Sequence, residues 1–350
     1  MAAIDWETMD DAIDHGAERT DENPTRRRVR RILVISLIAL LAVVLSLFGA
    51  TWWVVRDVSN SIERIPGAFE IPEEERPAKT DNGSMNILLA GLDGEDSADE
   101  GHARTDAVMV VHIDQGRDHA FVVSIPRDAW VPIPGRGENK INAAYAFGGP
   151  ALYVQTVEQL TGLRMDHLAV LDWSGFRSLT DALGGVELTF SEPIVTHDGP
   201  TYDPGRHTLS GDEALQYVRE RKALPAGDFD RVKRQQNYLR ALMRALLNSD
   251  TLSDPGRLME VAGSIGEAAR VDDEFSATDM VRLGISLRGL RAEDVTFLTV
   301  PTDGTGWAGS ASIVNYDHEN ARLLWTAVRD DDVESFVAAH GDLVTGESVR

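Results

Sequence analysis

The sequence contains no cysteine among its 350 residues. This excludes disulfides, thiolate catalysis and cysteine-ligated metals, so the fold must be stabilised by burial of an apolar core. Three catalytic motifs are also missing: the G-x-S-x-G elbow, the H-E-x-x-H pair and the P-loop. The histidines do not fall at metal-ligand spacings, and no internal repeat is present. The sequence therefore gives no support to a serine hydrolase, a zinc protease or a P-loop NTPase.

Positive charge is scarce, since the formal net charge is -23. An acidic body argues against a nucleic-acid partner, which would require a broad basic face. The exception is the segment VRERKALPAGDFDRVKRQQ at 218–236. Its basic residues are Arg219, Arg221, Lys222, Arg231, Lys233 and Arg234. Guanidinium groups make paired hydrogen bonds with phosphate oxygens, so the cluster predicts a specific phosphate or pyrophosphate ligand.

Residues 32–55 form a long run without charge. At about 1.5 Å per residue, a helix of this length crosses the roughly 30 Å hydrocarbon core of a bilayer. The basic stretch RRRVRR precedes the run, which places the N-terminus in the cytoplasm and the rest of the chain outside it. A cleaved signal peptide is the alternative, but the run exceeds a signal-peptide h-region and a long segment precedes it. We therefore predict a single-pass cell-membrane anchor at 32–55, after a disordered cytoplasmic tail at 1–31.

Hydrophobic patterning divides the exported part into three regions. Residues 56–84 are rich in proline and charge and are predicted to be a linker, 85–249 a catalytic core, and 250–350 a C-terminal part that packs on the same domain and has a flexible end. Strands are predicted at 85–93, 107–113, 119–125, 167–172, 186–190 and 295–300. Helices are predicted at 149–163, 175–183, 210–218, 231–247, 277–287 and 319–328. Interleaved strands and helices indicate an α/β fold with α-β-α layers.

Two aspartates flank the first two strands. Asp93 ends the first strand and Asp106 begins the second. Carboxylates at strand ends beside a phosphate site are suited to Mg²⁺, which prefers oxygen ligands. The alternative is that both are ordinary loop or cap residues in an acidic protein.

The basic candidates fall at three places in the chain. Arg127 follows a proline in SIPRD, which fixes the backbone before it. Arg219 and Arg221 share a face in extended chain, whereas Arg231 and Gln235 share a stripe near a helix N-terminus. The alternative is a solvated charged face balanced by neighbouring carboxylates. Lys140 in NKIN is suited to contact a phosphate or to cap a turn, and Lys222, Lys233 and Arg234 are expected to be solvated.

Several separated blocks together resemble the LytR-CpsA-Psr family. They are NILLAGLD, RTDAVMVVHID, SIPRDAWV, NKINAAYAFGG, DALGGVEL and ALQYVRERKALPAGDFDRVKRQQ, and they occur in the family's order over roughly 85–248. The resemblance implies an enzyme that moves a glycopolymer from a polyprenyl-pyrophosphate carrier onto peptidoglycan through a phosphodiester. It also implies an α-β-α sandwich with a hydrophobic pocket for the lipid tail. The partners it implies are the lipid-linked glycan, peptidoglycan and the membrane.

The resemblance also implies roles for individual residues. Asp93 and Asp106 match the metal-ligating aspartates, with Mg²⁺ or Mn²⁺ as the cofactor. The residues that match pyrophosphate-binding positions or lie near the head group are Arg104, Arg127, Lys140, Arg219, Arg221, Arg231 and Gln235. Asp228 matches the aspartate of the family's G-D-x-x-R block. Two departures stand out: the family often has Ser-Arg directly after the position of Asp93, and Asp230 replaces a small residue.

The implied reaction is attack of a sugar hydroxyl on the phosphorus next to the glycan. Arg127, the other arginines and the metal would neutralise the developing charge, while Asp106 or Asp228 would accept the proton. Two alternatives remain open. The same site could hydrolyse a polyprenyl pyrophosphate, or the protein could be a non-catalytic envelope sensor that binds pyrophosphate without turnover.

Overall fold

The computed structural model describes residues 62–93, 104–171, 173–196, 199–220, 224–225, 227–246, 260–261, 263–264, 266 and 269–346. Side chains are described for these residues except Asp93, Arg104, Trp173 and Ser174. The predicted tail, the predicted membrane span at 32–55 and residues 56–61 of the predicted linker lie outside this part. Within it, no helix combines the length and apolar character that a bilayer crossing requires.

The helices and strands predicted from hydrophobic periodicity are present, with ends shifted by a few residues. The strands, in chain order, are β1 (Glu63–Ile65), β2 (Met85–Asp93), β3 (Arg104–Ile113), β4 (Ala120–Ile125), β5 (Ala129–Ile133), β6 (Gly137–Lys140), β7 (His167–Leu171), β8 (Val186–Phe190), β9 (Ile194–Val195), β10 (Thr201–Tyr202), β11 (Gly205–Leu209), β12 (Ala269–Asp272), β13 (Val295–Thr299), β14 (Thr302–Ala308) and β15 (Ala311–Tyr316). The α-helices are α1 (Ala143–Thr161), α2 (Trp173–Ala182), α3 (Gly211–Arg219), α4 (Asp228–Leu246), α5 (Ala277–Ser286), α6 (His318–Arg329) and α7 (Val333–Ala339).

The central element is a seven-stranded mixed sheet. Its strand order is β1-β12-β7-β2-β3-β4-β13. The β2–β3 and β3–β4 pairs are antiparallel, whereas β7 runs parallel to β2 and β13 parallel to β4. Strands β12 and β13 come from the C-terminal third of the chain, so that part completes the same sheet.

Both faces of this sheet are covered, because alternate residues of a strand point to opposite faces. In β3, Val108 and Val110 belong to a core cluster shared with α1 and α6. Met109 and Ile113 belong to another cluster, which includes residues of α4 and α5. The arrangement of helices on each side of a mixed sheet agrees with the predicted α-β-α layers.

A second sheet was not predicted. Its order is β14-β15-β5-β6, and one of its faces contributes Ala129, Val131, Ile133 and Tyr316 to the core cluster that contains α1. Sequence patterning missed it because β14 contains two glycines and β5 a proline, which both disfavour strands. The turn before β5 carries Arg127.

The described part of the predicted linker packs against the domain. Strand β1 pairs in parallel with β12, and Ile62, Ile65 and Ala68 are buried. Arg76 donates two hydrogen bonds to the fully buried Glu158 of α1, from Nε to Oε2 at 2.9 Å and from Nη2 to Oε1 at 2.6 Å. Residues 62–84 are therefore joined to the sheet and to α1 rather than extended as a free tether.

Candidate functional site

An irregularity in the β2–β3 ladder positions the first carboxylate. Leu92 pairs with Thr105 but Gly91 pairs with Ala107, so Asp106 is the extra residue of a bulge. A bulge redirects the side chains around it and is common next to active sites. Asp106 is 8% exposed, so it is largely shielded from water. It lies near the N-terminal end of β3, an inner strand of the sheet.

The Arg127 side chain extends from the turn between β4 and β5. Strand β4 runs antiparallel to β3, so the C-terminal end of β4 lies beside the N-terminal end of β3, where Asp106 is located. The buried Pro126 precedes the arginine, and the Asn142 backbone N–H donates to the Arg127 carbonyl at 3.2 Å. The backbone is thereby fixed on both sides of the guanidinium-bearing residue.

The first turn of α4 provides a second arginine and a second carboxylate. Asp228 and Arg231 are three residues apart, which brings their side chains together on one helix face. Gly227 has a φ of +57°, a left-handed conformation that glycine adopts without strain, and its carbonyl accepts from the Arg231 backbone N–H. The turn into α4 therefore determines where Asp228 and Arg231 point.

These four side chains form a closed ring of alternating charge, which we call the Arg–Asp ring (Asp106, Arg127, Asp228 and Arg231). Arg127 Nη1 contacts Asp106 Oδ1, and Arg127 Nε lies 3.7 Å from Asp228 Oδ1. Arg231 Nη2 lies 2.5 Å from Asp228 Oδ1, and its Nη1 lies 4.0 Å from Asp106 Oδ1. Each arginine thus contacts both carboxylates, although the ring joins three separate segments of the chain.

The ring is formally neutral and its side chains are at most 16% exposed. Neither oxygen of the Asp228 carboxylate accepts a well-oriented hydrogen bond from a described donor, although Oδ1 is ion-paired. Buried charges are costly unless they are paired, so pairing is needed to keep both guanidinium groups here without a ligand. An arriving anion can replace the carboxylates as a partner, because guanidinium groups donate paired hydrogen bonds to phosphate and carboxylate oxygens in the same geometry.

The oxygen donors fit a divalent metal. Mg²⁺ usually takes one or two carboxylates and completes its shell with waters and substrate phosphates. Asp106 supplies one such carboxylate. Asp93, whose side chain is not described, is the last residue of β2 and pairs with Arg104 of the neighbouring strand β3. Arg104 is two residues before Asp106 on that strand. Among the described residues there is no group of three or more acidic or histidine side chains that could hold a metal ion.

A narrow apolar cavity begins one helical turn from Arg231. Gln235 of α4 lines it and is 7% exposed. The other lining residues come from β2, β3, β7, α2, α3 and α4, and they are almost all apolar: Leu89, Ala90, Gly91, Ala107, Met109, Leu171, Phe176, Val218, Tyr238 and Leu239. The cavity volume is about 70 Å³. It lies on the α4 side of the sheet, so polar and apolar binding surfaces meet at the position of Gln235.

The other predicted site residues are placed less completely. The Lys140 ammonium lies 2.9 Å from the carboxylate of Asp128, the residue after Arg127. Arg219 is exposed at the C-terminal end of α3. Arg221 lies outside the described residues, as does the Arg104 side chain. The structure therefore brings Asp106, Arg127, Asp228, Arg231 and Gln235 together, and the roles of all the predicted site residues stay predictions.

The prediction for Arg234 was wrong, since this residue is buried rather than solvated. It is 2% exposed, and its guanidinium lies 4.8 Å from the centroid of the Tyr217 ring, as in a cation–π contact. Burial lowers the Arg234 pKa, which Tyr217, Glu220 and Asp230 partly oppose. Lys233 is exposed, as expected. The contact between Arg234 and Tyr217 joins α4 to the C-terminal end of α3, which is also where Arg219 lies.

A signal for the burial of Arg234 was present in the sequence. Arg231, Arg234, Gln235, Tyr238 and Leu242 recur at three- and four-residue steps, which is the spacing of a core-facing helical stripe. All five are buried. Arg231 and Gln235 were predicted to share a stripe, but the sequence did not reveal that Arg234 is buried beside them, because hydrophobic periodicity detects only apolar residues.

Comparison with known proteins gives consistent matches. The model of the LytR_cpsA_psr family matches residues 60–330. The chain is 32% identical over 285 residues to "Cell wall biosynthesis protein LcpA" of Corynebacterium glutamicum, with 67% of this chain and 54% of LcpA covered. It thus spans about half the length of that relative.

Solved structures agree with the sequence comparison. B. subtilis TagV has a TM-score of 0.62 and 25% identity, with 72% of this chain and 98% of TagV covered. A structure described as "TagT bound to LIIa-WTA" has a TM-score of 0.56 and 26% identity, with 73% and 94% covered. The match to the family model includes every block that carries the resemblance, together with the Arg–Asp ring and the apolar cavity. The chain belongs to the LytR_cpsA_psr family.

Proposed function

We propose that this chain is a phosphotransferase that moves a glycopolymer from a polyprenyl-pyrophosphate carrier onto a peptidoglycan hydroxyl. The observation that carries the proposal is the Arg–Asp ring next to an apolar cavity, with Gln235 lining the cavity one turn from Arg231. A lipid pyrophosphate has the matching chemistry, with a doubly charged head and an apolar tail.

The names of the relatives support a glycopolymer substrate. LcpA is described as a cell wall biosynthesis protein, and TagT was solved with LIIa-WTA, a lipid-linked wall teichoic acid. Because this chain spans about half of LcpA, we transfer only the class of substrate and leave the polymer itself open. The ring would bind the pyrophosphate of any such lipid-linked substrate, whichever glycopolymer the pyrophosphate carries.

The reaction would proceed by exchange of partners in the ring. The pyrophosphate displaces the carboxylates from Arg127 and Arg231, which then face the charge that develops as the carrier leaves. The acceptor hydroxyl forms a new bond to the phosphorus next to the glycan, and the bond to the polyprenyl phosphate breaks with its electron pair. Asp106 and Asp228, the two carboxylates of the ring, are the candidates to take the hydroxyl proton.

We propose Mg²⁺ or Mn²⁺ as the cofactor, held by Asp106 and Asp93. When bound, the ion would neutralise phosphate charge and polarise the phosphoryl oxygens. Its charge would also compensate Asp106 when Arg127 moves from that carboxylate to the substrate. The ring can then open without leaving the buried Asp106 carboxylate unpaired.

The cavity would take the first part of the lipid tail. At about 70 Å³ it is smaller than the roughly 150 Å³ that holds benzene in an engineered protein cavity. A five-carbon isoprene unit therefore requires the cavity to widen. The wall that moves would be the Phe176–Tyr238 pair of α2 and α4, which are stacked with centroids 4.2 Å apart.

The test is transfer from a polyprenyl-pyrophosphate-linked glycan to peptidoglycan by the full-length protein in vesicles. Arg127→Ala is expected to reduce turnover by about 10²–10³-fold, the loss typical of one donor to a developing oxyanion. Lys233→Ala is the matched control, because this exposed cation lies on the same helix as Arg231. Full activity of Arg127→Ala would overturn the assignment.

The products distinguish the two alternatives. Release of phosphorylated glycan with no attachment to peptidoglycan would identify a hydrolase. Binding of polyprenyl pyrophosphate with no turnover in the presence of Mg²⁺ and acceptor would identify a sensor. Transfer predicts one polyprenyl phosphate released for each glycan attached.

We also propose that the folded domain lies outside the cytoplasm, anchored through 32–55. Such an anchor would hold the ring near a lipid-linked substrate. Protease treatment of intact cells is expected to remove the domain and spare the N-terminal tail. Protection of the domain until cells are lysed would contradict this orientation.

A further inference from the structure

The second sheet has an outward face that the proposed chemistry does not use. Val314 pairs with Ala129, and both point toward the core, so the alternate residues point away from it. Asn315 of β15 pairs with Trp130 of β5, and Trp130 pairs with Lys140 of β6. Cross-strand partners share a face, so these three side chains form a row across three adjacent strands.

The members of this row, which we call the Trp130 row (Lys140, Trp130 and Asn315), are held in place by local contacts. The Trp130 indole N–H donates to Glu138 at 3.0 Å, which fixes the ring plane. The Asn315 amide lies directly over Gly306, where a Cβ would be only 2.9 Å from both amide atoms. All three are partly exposed. The row is a preformed strip that offers one flat aromatic ring between polar groups.

The Trp130 row is continuous with the Arg–Asp ring. Asp128, which pairs with Lys140, directly follows Arg127, and its carbonyl accepts from the Val314 backbone N–H at 2.8 Å. Adjacent strands are about 4.8 Å apart, so the row spans roughly 10 Å from Lys140 of the edge strand β6 to Asn315 of β15. Trp130 is three residues from Arg127 along the chain, so a polymer bound on the row would pass within roughly 10 Å of the Arg127 backbone.

The row and the apolar cavity lie on different sides of the ring. The cavity is on the α4 side of the central sheet, whereas the second sheet packs on the core cluster of the opposite face, with α1. In phosphoryl transfer the attacking and leaving oxygens are roughly in line on opposite sides of the phosphorus. If the leaving lipid phosphate is on the cavity side, the nucleophile approaches from the side of the second sheet.

We propose that the Trp130 row binds the acceptor, a glycan strand of peptidoglycan, and delivers its hydroxyl to the ring. This inference rests on the proposed transferase function. A sugar ring has a face of C–H groups that packs on an indole, and its hydroxyls suit the amide of Asn315 and the charged groups of Lys140 and Glu138. The negative net charge of the chain would repel a polyanion, but it does not repel the sugar rings and hydroxyls of a glycan strand in this way.

The experiment compares two tryptophans of the same sheet. Trp130→Ala is expected to weaken binding of solubilised peptidoglycan glycan strands by about tenfold, equivalent to about 1.4 kcal/mol. In the transfer assay it should raise KM for the acceptor and leave kcat and the affinity for the lipid pyrophosphate unchanged. Trp307→Ala is the control, because Trp307 is 74% exposed on β14 but lies outside the row. Trp130→Phe retains a flat ring and should retain most of the affinity, which guards against a general folding defect in Trp130→Ala.

The outcomes separate this inference from the function on which it rests. Equal effects of the two alanine variants, or unchanged KM and binding in Trp130→Ala, would overturn the row and leave the transferase intact. Trp130-dependent glycan binding without any transfer would retain the row as a glycan site and overturn the transferase. No binding of glycan strands by the unmodified protein would also refute the row.

Discussion

From the Arg–Asp ring we predict that substitutions at two residues in contact, Asp228 and Arg231, will change the affinity for an anion in opposite directions. Asp228→Asn removes a carboxylate that lies 2.5 Å from Arg231 and 3.7 Å from Arg127. The ring would then carry one net positive charge. Arg231→Met removes a guanidinium and leaves one net negative charge. An anionic ligand should therefore bind more tightly to the first variant and more weakly to the second.

The magnitude follows from the distances in the ring. Two unit charges 4 Å apart interact by about 4 kcal/mol at an effective dielectric constant of 20. Arg127 is 16% exposed and the ligand brings its own counterions, so a smaller net effect is expected. We expect a change of about tenfold in affinity for each substitution, or about 1.4 kcal/mol. Both variants should lose stability, by about 3 kcal/mol, because each leaves a buried charge with one partner fewer.

The assay is titration of the metal-free protein with a soluble prenyl pyrophosphate, with denaturant unfolding measured in parallel. The double variant Asp228→Asn/Arg231→Met restores neutrality and should recover most of the lost stability, as coupled neighbours do in a double-mutant cycle. A fall in affinity of similar size in Asp228→Asn and Arg231→Met would refute the reasoning. The ring would then be a structural ion cluster and not a site that exchanges carboxylates for phosphate.

Three further predictions concern stability and the metal. Arg76→Ala should cost about 3–5 kcal/mol in unfolding free energy, because it leaves the fully buried Glu158 carboxylate without its bidentate partner; unchanged denaturant midpoints would contradict this. Ser210→Ala should cost about 1 kcal/mol through loss of the hydroxyl that donates to Glu213 at the start of α3, whereas the backbone N–H of residue 210 keeps its bond to the same carboxylate. The backbone and side chain of Ser210 lower the pKa of Glu213, so this contribution is present above the unfolded carboxyl pKa of about 4.3 and is lost as the pH falls below it. The difference between Ser210→Ala and the unmodified protein should therefore shrink in acid, and a difference that grows would be inconsistent. Chelation should abolish turnover without changing the circular dichroism spectrum, and Mg²⁺ or Mn²⁺ should restore it; full turnover in excess chelator would exclude the metal.

Local sequence signals predicted the elements that carry the site. The helix α4 was evident from apolar spacing, and Ser210 with Glu213 correctly marked the start of α3. The positions of Arg231 and Gln235 on one helix face then follow from geometry, because residues four apart share a face. Asp228 lies on the same helix, which begins three residues before its predicted start. These predictions succeeded because each depends on fewer than about ten neighbouring residues.

Other features depend on contacts between distant segments, and the sequence did not reveal them. Arg234 carries a charge, which normally indicates solvent exposure, but the Tyr217 ring of another helix covers it. Arg76 lies in a proline-rich stretch that was predicted to be a linker, yet its partner is Glu158, 82 residues away. In both cases a charge is buried because its partner compensates the loss of water.

The sequence by itself determined the family, the main strands and helices, and which residue types carry the chemistry. The basic segment 218–236 in an otherwise acidic chain already pointed to a phosphate ligand. Only the tertiary structure decided that Asp106, Arg127, Asp228 and Arg231 form one ring, and that Gln235 joins this ring to an apolar cavity. The physical reason is that spacing along the chain fixes neighbours within a helix or strand, whereas ring closure depends on a bulge, a turn and a helix end that meet only when the sheet has formed.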